Sequence, residues 1–207
     1  IEINDSLTVI AAPVYGGRVA PVALQRIKRL KGNNSPAIVV VVYGNRDYED
    51  ALLEMNDILT KCGFTVIASG AFVAQHSMAP EIGAGRPDGE DEKEIHKFAE
   101  TVKNSTAVEN VQVPGNRPYK PEMNMPVAPI SLPSCTKCGK CVTVCPTNAI
   151  SVADGAVITD IEKCILCMAC THICTEQARI SPLPLQQKTE QMLGALKGVR
   201  NKNEVFL

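Results

Sequence analysis

Eight of the nine cysteines fall in a window of 40 residues, Cys135 to Cys174, and they follow one spacing written twice. Cys135, Cys138, Cys141, Cys145 and Pro146 spell C-x2-C-x2-C-x3-C-P. The pattern returns 29 residues later as Cys164, Cys167, Cys170 and Cys174, with Thr175 in place of the proline. Two-residue gaps let one tight loop set three thiolates around three corners of an iron–sulfur cube. The fourth cysteine, a further three residues on, has turned away and serves the neighbouring cube. The spacing therefore predicts one [4Fe–4S] cluster on Cys135, Cys138, Cys141 and Cys174, and a second on Cys145, Cys164, Cys167 and Cys170. Zinc also takes four thiolates, but through two separated C-x2–4-C knuckles. Nine cysteines in 207 residues is too sparse for a disulfide scaffold.

Between the ligands sit Val142, Val144, Ile165, Leu166, Met168 and Ile173, apolar residues that can wrap the clusters and limit water. Gly139 removes a side chain where the first loop must curl. His172 is either a donor to a cluster sulfide or an exposed surface residue. The ninth cysteine, Cys62, lies on the apolar stripe of a predicted helix and reads as a small buried hydrophobe.

Residues 1–103 obey different rules. Leu7–Ala12, Ala37–Tyr43 and Phe64–Ser69 are β-rich apolar runs without polar alternation, as in strands buried on both faces. Helical stripes separate them: Ala20, Ala23, Leu24, Ile27 and Leu30, then Ala51, Leu52, Met55, Ile58, Leu59 and Cys62. Ile95, Phe98, Ala99 and Val102 mark a third helix. Strand and helix in alternation imply right-handed crossovers and a parallel sheet. Residues 104–134 carry six prolines and read as an extended linker or a strap on a surface. The cysteine-rich segment occupies 135–182, and 183–207 supplies a last helix, over about Leu183–Arg200, and a tail.

Charge and hydropathy exclude other classes. With 21 Lys+Arg against 22 Asp+Glu, no segment gathers enough cation to track a phosphate backbone, so nucleic acid is not expected as a partner. The longest apolar run, Ala37–Tyr43, is seven residues, far short of a bilayer span.

Two loops follow the first two strands directly. One is Ala12-Pro13-Val14-Tyr15-Gly16-Gly17-Arg18 and the other Tyr43-Gly44-Asn45-Arg46-Asp47-Tyr48-Glu49. Carboxyl ends of parallel strands are where α/β sheets bind ligands. Glycines there admit a planar ring close to the backbone, and a tyrosine in each loop can stack on it. A glycine-rich strand-to-helix turn is also often only a turn.

Two resemblances follow. Residues 135–182 resemble a bacterial-type ferredoxin with two [4Fe–4S] clusters. The two loops, with the helix and strand that succeed the second, are similar to the flavin loops of flavodoxin. That likeness implies FMN, its ring flanked by Tyr15 or its neighbours and by Tyr48. Its pyrimidine edge would meet the N–H groups of Gly16, Gly17, Asn45 and Asp47, with Pro13, Gly44 and Arg46 completing the contacts. A cation such as Arg46 near the ring favours the anionic reduced flavin, although Arg46 reads equally as a solvated loop arginine. No Ser/Thr/Gly-rich phosphate loop precedes Leu7, and the three strands match strands 3, 4 and 5 of the 2-1-3-4-5 order. Residues upstream of Ile1 are therefore expected to supply strands 1 and 2.

With the stretch Val113–Lys120 and the closing Glu204-Val205-Phe206-Leu207, the whole chain resembles the flavodoxin–ferredoxin fusion proteins of anaerobic prokaryotes. The expected fold is thus a partial flavodoxin-like α/β parallel sheet followed by a smaller α+β ferredoxin domain. The expected function is electron transfer between FMN and two clusters, in a reducing cytoplasm, with a redox partner protein or reductase. The chain would serve as carrier or as a component of a flavin-dependent oxidoreductase. The competing expectation is a ferredoxin whose α/β half is a flavin-free docking module. A reductase with its own small substrate would need an acid or base such as His76 or Glu81.

Overall fold

The computed structural model describes residues 1–106, 109–123 and 125–207; positions 107, 108 and 124 of the proline-rich segment lie outside the described residues. In chain order the elements are β1 (Thr8–Tyr15), β2 (Arg18–Val19), α1 (Pro21–Ile27), β3 (Pro36–Tyr43), α2 (Ala51–Lys61), β4 (Thr65–Val73) and α3 (Gly89–Lys103). There follow β5 (Ile130–Ser131), α4 (Lys140–Thr143), β6 (Ile150–Ala153), β7 (Ala156–Thr159), α5 (Ala169–His172), β8 (Arg179–Ile180), α6 (Leu183–Leu193), a 3-10 turn (Gly194–Leu196) and β9 (Glu204–Phe206). They form two compact units. The first comprises Ile1–His76, Glu81–Met123 and Leu196–Leu207, and the second Ser77–Pro80 and Asn124–Ala195.

The first unit is built on a five-stranded sheet of order β2-β1-β3-β4-β9. β1, β3 and β4 run parallel, as the alternation of apolar strand and amphipathic helix requires. The sheet as a whole is mixed, because β2 and β9 pair antiparallel at its two margins. One face carries the main core, in which Ile10, Ala12, Val39 and Val41 meet Leu52, Met55 and Leu59 of α2. The other face packs Ile38, Ala68 and Phe72 against Phe98 and Val102 of α3. That helix starts six residues before its first apolar position because Asp88 and Asp91 form a reciprocal capping box around a polar first turn.

β1 departs from the expectation of burial on both faces. Its residues alternate, Ile10 and Ala12 inward and Val9 outward at 62% exposure. The Pro13–Arg18 loop is a two-residue hairpin: Tyr15 pairs with Arg18, and Gly16 and Gly17 hold φ of +60° and +83°. Type I′ turns need positive φ at both central residues, which is what two glycines supply. A Cβ on Gly17 would fall 1.7 Å from a Glu49 carboxylate oxygen that Arg46 and Lys120 hold in place. Gly17→Ala is expected to cost about 1–3 kcal/mol, read as a lower urea midpoint.

The proline-rich segment is a strap rather than a free linker up to Met123. Val111 N–H donates to Val66 O at 2.8 Å, and Val66 N–H to Asn110 Oδ1 at 2.8 Å. Asp50, buried at the start of α2, accepts from the N–H groups of Asn116 (2.8 Å) and Lys120 (2.7 Å). Asp57 takes Arg117 at 2.6 Å and the Tyr119 hydroxyl. Burial works to raise the Asp50 carboxyl, yet these bonds outweigh it and hold it below the usual range. Arg117, with help from Tyr119, does the same for Asp57. A carboxylate depressed in the folded state gives stability that is present above its unfolded value, about 3.9, and lost as pH falls through the folded one. The strap is therefore expected to become protease-sensitive below about pH 4, a loss that Asp50→Asn shifts to neutral pH.

The second unit holds two small antiparallel pairs, β5–β8 and the β6–β7 hairpin. The hairpin turns on Asp154 and Gly155, both at positive φ, again the type I′ signature. The expected last helix is shorter than Leu183–Arg200. α6 stops at Leu193, with Leu185, Thr189 and Leu193 buried, while Met192 and Val199 are exposed. Segments 183–195 and 196–207 belong to different units, so the ends of the cysteine-rich unit are not those read from composition.

Candidate metal centre

The two cysteine runs fold into the same local shape. Lys137 and Gly139 in the first, and Leu166 and Met168 in the second, all have left-handed backbone, with φ of 59°, 78°, 54° and 60°. Each pair is followed at once by a one-turn helix, α4 or α5. Asn148 and Gln177, each three residues past the fourth cysteine of its run, are left-handed too. The 29-residue sequence repeat is thus a repeat of backbone conformation. Gly139 meets the φ requirement without strain, and Met168 meets it at a cost that packing must cover.

These loops line two separate cavities. The first is bordered by Cys135, Cys138, Cys141 and Cys174. The second is bordered by Cys145, Cys164, Cys167 and Cys170. In each, three cysteines come from one repeat and the fourth from the other. All eight are free thiols, and among the described residues no three His, Cys, Asp or Glu side chains converge as a single metal ion would need. A cube carries its four ligands at four corners, so a cavity ringed by thiols is the shape that suits it.

The surroundings of the two rings differ. Cys138 is exposed, whereas Leu166, Met168 and Cys170 are buried. Met78, Met125, Val127 and Leu185 of α6 pack against the second loop. The Lys140 N–H and, more weakly, the Thr136 hydroxyl hold the Cys138 thiol below its usual value. Burial works upward on Cys145, but the N–H groups of Thr147, Ala149 and Ile150 and the Thr147 hydroxyl outweigh it. Ala149 N–H lies 3.2 Å from that sulfur. Burial leaves Cys141, Cys164 and Cys167 raised. N–H groups aimed at sulfur are what a cluster thiolate uses, and the eight residues fit such a group. His172 is exposed, its Nε2 3.2 Å from Ser77 O, and Cys62 is half-buried beside Ile27.

The spacing did not single out Arg179. It is buried and borders both cavities. Laying the repeats over one another would have flagged it, since residue 179 falls opposite Ile150.

The residues read as flavin contacts gather at the carboxyl ends of β1 and β3, but their groups are engaged within the first unit. Pro13 O accepts from Ala20 N–H, and Gly16-Gly17 is the hairpin turn. A Cβ on Gly44 would meet the His76 ring at 2.5 Å. Asn45 is fully buried; it donates to Val199 O (2.8 Å) and accepts from Asn201 N–H (3.0 Å) and Arg86. Arg46 pairs with Glu49 at 2.6 Å, and Asp47 caps the Glu49 N–H. Tyr48 is 7% exposed, edge-on to Tyr43 at 5.5 Å, with its hydroxyl on Glu204 at 2.5 Å. Burial and Glu204 push that phenol upward, and burial pushes Tyr43 up to about 12. So placed, Asn45, Arg46, Asp47 and Tyr48 meet protein partners where a flavin ring would have to lie, and they do not fit one. Glu81 pairs with Lys197 at 3.6 Å, and burial holds the His76 imidazole below its usual value although the Glu81 charge works the other way.

Comparison with known proteins agrees with the cysteine loops. Residues 134–179 match the 4Fe-4S dicluster domain family. A polyferredoxin-like subunit of an aliphatic sulfonate oxidoreductase from Pyrococcus furiosus is 49% identical over 45 residues, 20% of this chain and 26% of that one. The RNA polymerase subunit Rpo3 of Methanosarcina acetivorans is 44% identical over 54 residues, 25% of this chain and 20% of its own length. This chain thus spans about a quarter of the first and a fifth of the second. Ferredoxin-1 of Rhodobacter capsulatus is 35% identical over 54 residues, 23% of this chain and 83% of the relative. Iron–sulfur electron transfer is the function that the family match and the two ferredoxin-type relatives support, and no helix among the described residues is long and apolar enough to cross a membrane. By this domain the chain belongs to the ferredoxins that carry a 4Fe-4S dicluster.

Proposed function

We propose that the chain is a one-electron carrier with two [4Fe–4S] clusters, one on Cys135, Cys138, Cys141 and Cys174 and one on Cys145, Cys164, Cys167 and Cys170. The observation that carries this reading is the pair of cavities, each bordered by one such set of four thiols. When bound, each cluster takes up and gives back one electron. The protein's part is position and surroundings. The left-handed residues Lys137, Gly139, Leu166 and Met168 turn the loops that bring each set of four thiols to the border of one cavity. N–H donors on Cys145 and Cys138 stabilise sulfur charge, and α6 with Met78 and Met125 keeps water from the second ring. The exposed Cys138 makes the first ring the natural approach for a redox partner protein or reductase. A reducing, oxygen-poor cytoplasm is the compartment such clusters call for.

In this reading residues 1–123 with the closing tail form a flavin-free docking module. Iron and sulfide analysis of anaerobically purified protein tests the cluster assignment. About eight atoms of each per chain, with absorbance near 400 nm that bleaches on reduction, is the expected result. About four or fewer irons, or stoichiometric zinc, would overturn it.

A second reading places FMN in the first unit and couples its two-electron chemistry to one-electron steps at the clusters, as in the flavodoxin–ferredoxin fusions. One observation favours it: β1 and β3 are adjacent and parallel, and their carboxyl-end loops carry Tyr15 and Tyr48. It requires Glu204 and residues 199–203 to leave those loops. Acid extraction of the purified chain separates the readings: stoichiometric FMN supports the second, and none supports the docking module.

A further inference from the structure

We propose that Arg179 is a shared counter-charge that raises the reduction potential of both clusters. The inference rests on the cluster assignment proposed above. Arg179 begins β8 and is 4% exposed. One guanidinium nitrogen donates to Ser131 Oγ at 3.0 Å and another to Thr159 Oγ1. Its Nε is buried with no hydrogen-bond partner among the described residues, and none of the carboxylates among them forms an ion pair with it. Two neutral hydroxyls do not offset a full charge taken out of water. A buried guanidinium is kept only where an anion compensates it.

Bound clusters would supply that anion, and Arg179 borders both cavities that would hold them, with the Glu176 carboxylate on the lining of the first alone. The internal repeat supplies a control. The 29-residue offset sets Ile150 at the equivalent position, equally buried, and Ile150 borders only the ring of Cys145, Cys164, Cys167 and Cys170. Apolar packing therefore satisfies this position once, and the second copy departs from it in favour of a cation.

The direction of the effect follows from charge. A cube with four thiolates is a dianion when oxidised and a trianion when reduced. Each ring gains one electron from an external donor and no proton, and a fixed cation favours the more negative product.

Voltammetry of the full chain, holding both clusters, tests this. Arg179→Ile, which copies Ile150, is expected to lower the equilibrium constant for one-electron reduction about tenfold at each cluster, about 59 mV for a one-electron couple. Arg179→Gln, which keeps a polar group for Ser131 and Thr159, is expected to do the same. Arg179→Lys is expected to stay within about threefold of the unsubstituted protein. Neutral variants that lose iron while Arg179→Lys keeps about eight atoms per chain would also support a requirement for charge. Unmoved potentials in Arg179→Ile or Arg179→Gln, a change confined to one cluster, an equal fall in Arg179→Lys, or loss of iron in all three would overturn it. Failure of the cluster reading itself would be seen separately, as an unsubstituted chain without two clusters.

Discussion

Replacing Cys135 and Cys145 together by alanine strips both clusters, whereas replacing Cys135 and Cys174 together strips only one. Iron should fall from about eight atoms per chain to near zero in the first case and to about four in the second. The asymmetry arises because Cys174 borders the same cavity as Cys135, although 39 residues separate them, while Cys145, ten residues away, borders the other. If each run of four instead held its own cluster, the two outcomes would exchange places. The double variants thus measure a property of the fold, the crossing-over of the fourth ligand. Electron paramagnetic resonance of the reduced proteins gives a second count.

The next largest effect is expected at Arg86. Its guanidinium grips Asp91 through two nitrogens, with the side chains 4% and 1% exposed. It also donates to Asn201 O at 2.6 Å and to Asn45 Oδ1 at 3.2 Å. Asp91 accepts from the Asp88 N–H and from Asn203 as well, and Arg86 above all holds its carboxyl well below the usual range. Arg86→Met leaves that buried carboxylate with Arg200, 3.5 Å away, as its remaining cation and removes one of several ties to the closing segment. A loss of about 3–5 kcal/mol from the first unit is expected in urea unfolding. Adding Asp91→Leu should recover part of it, because an apolar pair leaves no unpaired charge. A loss below about 1 kcal/mol in the single variant would show the pair to be solvated.

The cysteine loops were legible because ligation by a rigid polyhedron fixes spacing residue by residue, and few other structures demand three thiols at two-residue intervals twice. The parallel strands β1, β3 and β4 were legible for a similar reason, since long apolar runs between amphipathic stripes admit few arrangements. Gly16-Gly17 was ambiguous. The same dipeptide serves a tight hairpin and a close approach to a ring, and only pairing of Tyr15 with Arg18 decides in favour of the turn. Tyr48 could be placed on its loop but not turned, because its orientation depends on Glu204, 156 residues away. β9 was beyond reach: three residues carry no periodicity, and their strand exists only because β4 offers them an open edge. Arg179 lay in plain sight as a single charge, its meaning set by burial that no local pattern reveals.

The pairing of β9 with β4 also has a consequence for biogenesis. The ribosome delivers β4 early and its antiparallel neighbour only after all eight ring cysteines have emerged. One margin of the α/β sheet must wait, unzipped, while the iron-binding segment is being made. Proteolytic nicking near residue 195 would therefore not release two intact halves; it would strip a strand from one of them.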